Sequence, residues 1–574
     1  GRDPTTVGII RLDNVQNYLL QRDRRIGREN KLNIGIAATY FEAEGVDVEA
    51  FDLDDKRRCL ADSPRKDLDV HKLLGLLDNE HIEMVGVLQW LYVLVHRIPE
   101  LAHMKSHVSM LYRTRAAKQP LPVKATKTRP LAASGMNETI NTELKEALTD
   151  FFGQLGQSKD DFLRRLFAVG GDGLTYEKFL LLKEYLQFHE NEFESLETLE
   201  PVLEWWHMEW TDLNRIFENH WGTPLSRDPS TLGHSAAKIG RKTPPNLKKV
   251  DYYSGVELAY LVLDVRMLDC WRVYFGQDDI FTYFTHLAST KALPPFEDLE
   301  GAALKLYRAY TSSRAQYRAM SPDAGGSNRW SSSKKAKSMT KKNASSKTKA
   351  SAPTTDEPFT GDRVLARSIA FMRDTMISRE AAFATAEGDV GRLYEMVKVM
   401  LFTFAGSSHN KYCTYLLETI TNLEYECSPE LRKALLQISL VNLTGKAGHF
   451  SAGDFVQEYF NRLLEAIGEK KGLEYGADFI RNVVSRNLHH MARLKNEWTD
   501  GVGLTARSAR HADPNANAEI RALLKEYRER ELHSRRPGRS IEDTDVDDFQ
   551  RGLESLRSGK LKKWITRTTR SRGL

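Results

Sequence analysis

Three acids in this 574-residue sequence have the residue type and setting to bind a metal. Asp13 closes the apolar run Val7-Gly8-Ile9-Ile10-Arg11-Leu12, and Asp172 closes Leu166-Phe167-Ala168-Val169-Gly170-Gly171, so each could be presented from the end of a strand. Glu458 lies in Asp454-Phe455-Val456-Gln457-Glu458-Tyr459-Phe460-Asn461, where Asp454, Glu458 and Asn461, at i, i+4 and i+7, share one helix face. Brought together, the three carboxylates would suit Mg²⁺, a hard cation that prefers oxygen, and a two-metal site of this kind cleaves phosphodiesters. Each acid also has a plainer reading. Asp13-Asn14 suits a turn, Asp172 an N-cap, and the 454–461 stripe a wetted helix face. No Walker loop, dinucleotide fingerprint, HExxH, Gly-x-Ser-x-Gly or paired CxxC accompanies them, so the common enzyme signatures do not compete.

The elements that must position these acids are few strands and many helices. Apolar runs predict strands near 7–13, 33–41 and 166–171, and the alternation Val46-Asp47-Val48-Glu49-Ala50-Phe51-Asp52-Leu53 predicts another. The first three of these in chain order could form an antiparallel meander. The fourth feeds a glycine turn and then a helix over 176–188. From about Val70, apolar residues recur at helical spacing, through 71–78, 82–96, 140–153, 200–221, 255–274 and 302–320. The fold class is therefore mostly α with a small mixed α/β part. The expected division is a strand-containing part over 1–230, a helical region over 231–320, a disordered linker over 321–360, an all-helical second half over 361–507 and a charged, partly disordered tail over 508–574, where 516–532 suits one helix.

Net charge is +5, and its distribution is informative. Residues 321–360 carry +5 and residues 551–574 carry +7, which leaves −7 on the rest. The Lys/Ser-rich linker has too little apolar surface to offset ordering entropy. Its Lys334, Lys335, Lys337, Lys341 and Lys342, with Lys562 and Lys563 of the basic end, are the expected nucleic-acid contacts. Four scattered cysteines match no disulfide framework or zinc spacing and favour a reducing compartment. The longest apolar stretch, Met84–Val95, is too short to span a membrane, so no membrane association is expected. The chain starts without an initiator Met or a hydrophobic signal region, which suits a trimmed fragment. The cluster Trp205-Trp206-His207-Met208-Glu209-Trp210 reads as a packing centre with a partly exposed His, and His489-His490 lacks a third ligand at metal-site spacing.

Taken in order, Asp13-Asn14-Val15-Gln16, Arg25-Ile26-Gly27, Gly35-Ile36-Ala37-Ala38-Thr39, Gly170-Gly171-Asp172 and Trp206-His207-Met208 resemble the first half of a large fungal family of unknown function, common in mushroom-forming species. The resemblance is closer in Glu387-Gly388-Asp389-Val390-Gly391-Arg392, Phe404-Ala405-Gly406 through Lys411-Tyr412, Glu418, Asn442 with Gly445-Lys446-Ala447-Gly448-His449-Phe450, Asp454-x-x-x-Glu458-x-x-Asn461, and Ser485-Arg486-Asn487-Leu488-His489-His490. That family is similar in layout to transposases with a split RNase H-like core, whose third acid follows a large helical insertion. The resemblance implies Asp13, Asp172 and Glu458 as catalytic, Mg²⁺-binding acids. Asn14, Asp454, Asn461, Asp389, Arg392 and His207 are then supporting polar residues. Such transposases often carry an Asp before Trp-His; here Glu204-Trp205 precedes Trp206-His207, which makes Glu204 a reserve second acid. The implied protein is nuclear, with DNA as partner and a homo-oligomer left open. The rival expectation is a non-catalytic, mostly helical scaffold that binds DNA or protein, in which Asp389/Arg392 and Asp454/Glu458/Asn461 are polar networks between helices.

Overall fold

The structure is a computed structural model that describes residues 3, 5–20, 23, 25–26, 29–321, 359–501, 515–541 and 547–571. Most of the expected linker, including Lys334, Lys335, Lys337, Lys341 and Lys342, lies outside these residues. Helices dominate, around one five-stranded mixed sheet and one two-stranded sheet.

The strands of the larger sheet are β1 (Val7–Leu19), β2 (Lys31–Ala43), β3 (Thr128–Pro130), β4 (Phe167–Gly171) and β5 (Leu199–Leu203), in the spatial order β3-β2-β1-β4-β5. β1 and β2 form an antiparallel hairpin and β3 adds antiparallel to β2. β4 and β5 run parallel to β1. Side chains alternate between the two faces of β1. Ile10 and Leu12 join Phe151, Phe152 and Phe179 under the helices Asn141–Gln154 and Gly173–Leu186. Ile9 and Val15 point the other way, into the large core shared with the helical body. Asp13 and Arg11 have the parity of Ile9, and the helix Gly453–Lys471 covers that face of β1.

Several sequence expectations change. β1 continues six residues past Asp13, so Asp13-Asn14 is not a turn. Residues 46–53 are not a strand: they form a short 3₁₀ turn, Glu49–Phe51, and lead into the helix Leu53–Ala61, whose first amides are capped by Asp52. Acids in capping positions produced the alternation there. The third strand of the antiparallel group comes instead from 128–130, and the fifth from 199–203, where a helix was expected to begin. Pro201 is accommodated because β5 is an edge strand. The second half also contains a small hairpin, β6 (Leu440–Val441) with β7 (Ser451–Ala452).

The helical body is held partly by buried charge. Arg215 Nε donates to Asp212 Oδ1 at 2.8 Å, and its Nη1 lies 3.0 Å from both Asp374 Oδ2 and Asp548 Oδ2. His220 Nε2 meets Asp374 at 3.1 Å. Three helices, Trp206–His220, Arg363–Glu387 and Asp548–Ser555, are thereby tied at one point. The segment after 508 thus contributes the helices Asn517–Glu529, Asp548–Ser555 and Leu561–Ser571, and Asp548 is fully buried. A second network joins Arg392 to Glu380 at 2.6 and 2.9 Å, while Asp389 caps its own helix and accepts from the amides of Lys118 and Gln119.

Candidate active site

Pairing between β1 and β4 ends at Arg11 opposite Gly170. Continued two residues, the same parallel register brings Asp172 level with Asp13, where β4 turns into the helix Gly173–Leu186. Asp172 Oδ1 caps that helix through the Thr175 amide at 2.8 Å, so it is an N-cap and a neighbour of Asp13 at once. From the covering helix, Asn461 Nδ2 donates to Asp13 Oδ2 at 2.9 Å and is oriented by Gln457 at 2.8 Å. Asp13 Oδ1 accepts the Asn14 amide at 2.8 Å.

Burial pushes the Asp13 carboxyl well above its usual range, Asp172 adds to the shift, His207 opposes it, and Glu138 and Glu458 add again. The two other predicted acids therefore act on the Asp13 carboxyl, and Glu138 joins them. Glu138 is itself pushed up, first by burial and then by Asp172; it accepts from Asn14 Nδ2 at 2.9 Å and Thr175 Oγ1 at 3.1 Å. Glu458, half-buried on the same helix as Asn461, pairs with Arg462 at 3.1 Å.

Beside the cleft, two helix N-termini cap one another. Glu204 Oε2 accepts the Asp454 amide at 3.1 Å, and Asp454 accepts the amides of Trp206 at 3.2 Å and His207 at 3.0 Å. Asp454 also meets His207 Nδ1 at 3.0 Å. Burial alone would lower the His207 pKa, but the hydrogen bond and charge of Asp454, with Asp172 and Asp13 behind, lift it to about 9. His207 is thus an imidazolium at neutral pH. The reserve acid Glu204 faces Arg11, whose Nε lies 2.7 Å from Oε1; burial lifts its carboxyl to about 7 with Arg11 opposing. A Cβ at Gly453 would collide with the Arg11 guanidinium, and one at Gly170 with Glu204, so both glycines make room for this pair.

Sequence reasoning missed Glu138 and Arg11. Glu138 sits in a loop without periodicity and gave no signal. Arg11 could have been noticed, because a charged residue two positions before Asp13 in an apolar strand shares its face. Trp206 packs among His207, Trp210, Tyr252 and Phe455, as a packing centre would. The His489 and His490 rings lie 3.8 Å apart, tilted at 37° to each other. Among the described residues, no group of three or more His, Cys, Asp or Glu side chains is arranged to hold a metal ion. The donor chemistry nevertheless suits a hard cation, since Asp13, Asp172, Glu138 and Glu458 offer carboxylate oxygens and the opposing charge near Asp13 comes from His207. All four cysteines are free, and no helix among the described residues is long and apolar enough to cross a membrane.

The fold defines a mostly helical protein built on a small mixed sheet, with acids set where β4 ends beside the middle of β1. The chain belongs to a family of unknown function, DUF6589, whose model matches residues 63–511. No curated protein and no solved structure matches the chain significantly. Asp172 and Glu458 lie within the matched residues, while β1 with Asp13 precedes them.

Proposed function

We propose that this is a transposase-like or transposon-derived nuclear protein that cleaves and transfers DNA strands with Mg²⁺, on a split RNase H-like core. The observation that carries the reading is the register that sets Asp172 level with Asp13, under the helix that carries Glu458 and bonds Asp13 through Asn461. The strand order β3-β2-β1-β4-β5, with β2 alone running against the others, supports it, being the order of an RNase H-like sheet. So does the position of the cleft. The chain leaves β1 towards β2 on one side and β4 towards β5 on the other, and open sheets bind ligands at such a switch point, beyond the carboxyl ends of the strands.

In this reading Asp13, Asp172 and Glu458 hold the metal, with Glu138 as a neighbouring carboxyl. When bound, the ion supplies charge stabilisation at the attacking and leaving oxygens of the phosphodiester. The protein does the positioning. Asn461 fixes the Asp13 carboxylate, Asp454 fixes the His207 ring, and His207 offers a positive charge to a phosphate entering an otherwise acidic cleft. Glu458 must leave Arg462 to join the other acids. Its pair is exposed and holds it weakly.

One observation favours a second reading, a non-catalytic helical scaffold that binds DNA or protein: each of the three acids already has a partner within the protein. Nicking of supercoiled plasmid by the full chain, with and without Mg²⁺, separates the two. The transposase-like reading expects Mg²⁺-dependent nicking that Asp13→Ala lowers by about 100-fold or more. Nicking that survives Asp13→Ala removes Asp13 from the mechanism, and a wild-type protein that never nicks leaves the scaffold.

A further inference from the structure

We infer that the groove between residues 64–75 and the helix Leu561–Ser571 is a track for the phosphate backbone of duplex DNA, separate from the acidic cleft. The choice of partner rests on the DNA-processing reading above. The groove is open and large, about 1030 Å³, and Lys66, Arg557, Lys562 and Arg570 line it with His71, against a single acid, Asp69. Asp69 is occupied as a helix cap, accepting the Lys72 amide at 2.8 Å. Lys66, Arg557, Lys562 and Arg570 are all exposed, and among the described residues none of them is held in an ion pair. That sets them apart from Arg11, Arg65, Arg215 and Arg392, each of which is buried against carboxylates.

The geometry favours a polyphosphate over a bilayer. The helix Leu561–Ser571 is amphipathic, but its apolar edge is already used: Leu561 and Trp564 are buried, and the Arg65 guanidinium lies 5.6 Å from the Trp564 ring. What it still presents to the groove is its charged edge, with half-buried Ile565 between the cations. The chain turns into this helix at Gly559, whose φ of +123° is open to glycine alone, and that turn sets the cationic edge along the groove. Lys562 and Arg570 then stand about 12 Å apart along the helix at ~1.5 Å per residue, enough to meet several phosphates of one strand.

The groove also has a fixed relation to the cleft. Gln187 Nε2 donates to the Ser571 carbonyl at 3.1 Å, and Gln187 ends the helix that Asp172 begins. Fourteen residues of helix make that rod about 21 Å long. A duplex lying in the groove would thus be gripped about six base pairs from the cleft, at ~3.4 Å per step.

The test is binding of the full chain to a labelled random-sequence duplex of about 30 base pairs, by fluorescence anisotropy over a range of salt. The triple variant K66E/K562E/R570E should bind at least about 10-fold more weakly, with a log–log salt slope shallower by about 3. The milder K66Q/K562Q/R570Q, checked for an unchanged melting temperature, should show a smaller loss in the same direction. Unchanged affinity and slope in both triple variants would overturn the inference. So would a wild-type protein that ignores duplex DNA or prefers single-stranded RNA or phosphatidylserine vesicles. If both triple variants lose binding while no variant nicks DNA, the groove stands and the nuclease reading falls; if nicking proceeds and the triple variants bind normally, the groove alone falls.

Discussion

Two clusters of acids in this molecule are treated in opposite ways. Around Arg215, burial works against ionisation of Asp374, but Arg215, Arg373 and His220 overcome it and hold that carboxyl well below its usual range. Around Asp13, burial and like charge act together, and the carboxyl is driven up. The first cluster is balanced by guanidinium groups inside the protein, as buried structural charge must be. The second carries more acid than its one imidazolium neutralises. An uncompensated cluster on a rigid strand costs stability, and the expected return is binding of a cation or of a phosphate with its counter-ions.

The comparison can be broken first at its balanced end. Replacing Arg215 by Met leaves Asp212, Asp374 and Asp548 buried without their shared cation and should cost about 3–5 kcal/mol, measured by denaturant unfolding. A change under about 1 kcal/mol would mean that the three acids are not held by charge balance.

At the unbalanced end the sign reverses. Because the folded Asp13 pKa lies above the usual 3.8, the native state takes up this proton more readily than the unfolded chain. The penalty is nil below the unfolded pKa and grows as pH rises through the raised one. Asp13→Asn should therefore melt like the wild type near pH 4 and at a higher temperature than the wild type at neutral pH without divalent ions. Loss of stability at neutral pH would show that the native Asp13 carboxylate is stabilised after all.

The smallest effect on stability belongs to Glu458. Its exposed pair with Arg462 contributes little, so Glu458→Gln should shift unfolding by less than about 0.5 kcal/mol while lowering Mg²⁺-dependent nicking by about 100-fold or more. Equal nicking by both proteins would return Glu458 to the wetted helix face.

Which parts were legible follows from how each residue does its work. β1, β2 and β4 are buried on both faces and announce themselves as apolar runs. β5 carries Glu200 and Pro201 and leads into a tryptophan cluster, so its pattern resembles a helix start; it is a strand because β4 offers it an edge. β3 is three residues long and includes Pro130, too short for any period. At the cleft, Asp13, Asp172 and Glu458 could be picked by residue type and spacing. Their company was legible only in part: Asn461 stood on the stripe of Glu458, whereas Glu138 meets Asn14 and Thr175, and Arg11 meets Glu204, through tertiary packing alone. Asp454 is the instructive case. Its place on the polar stripe was visible, but its work of capping a helix 250 residues earlier in the chain depends on register between elements that sequence does not encode locally.

That reciprocal capping has a consequence in time. The helix beginning at Trp206 lacks its cap until Asp454 has been made, and the helix beginning at Gly453 lacks its own until Glu204 is in place. Asn461, which orients Asp13, arrives later still. During synthesis from the N-terminus, the sheet can form long before the cleft is complete. A chain that stops short of residue 458 therefore carries two of the three acids but not the assembled site. These contacts are complete only when the last third of the protein closes on the first.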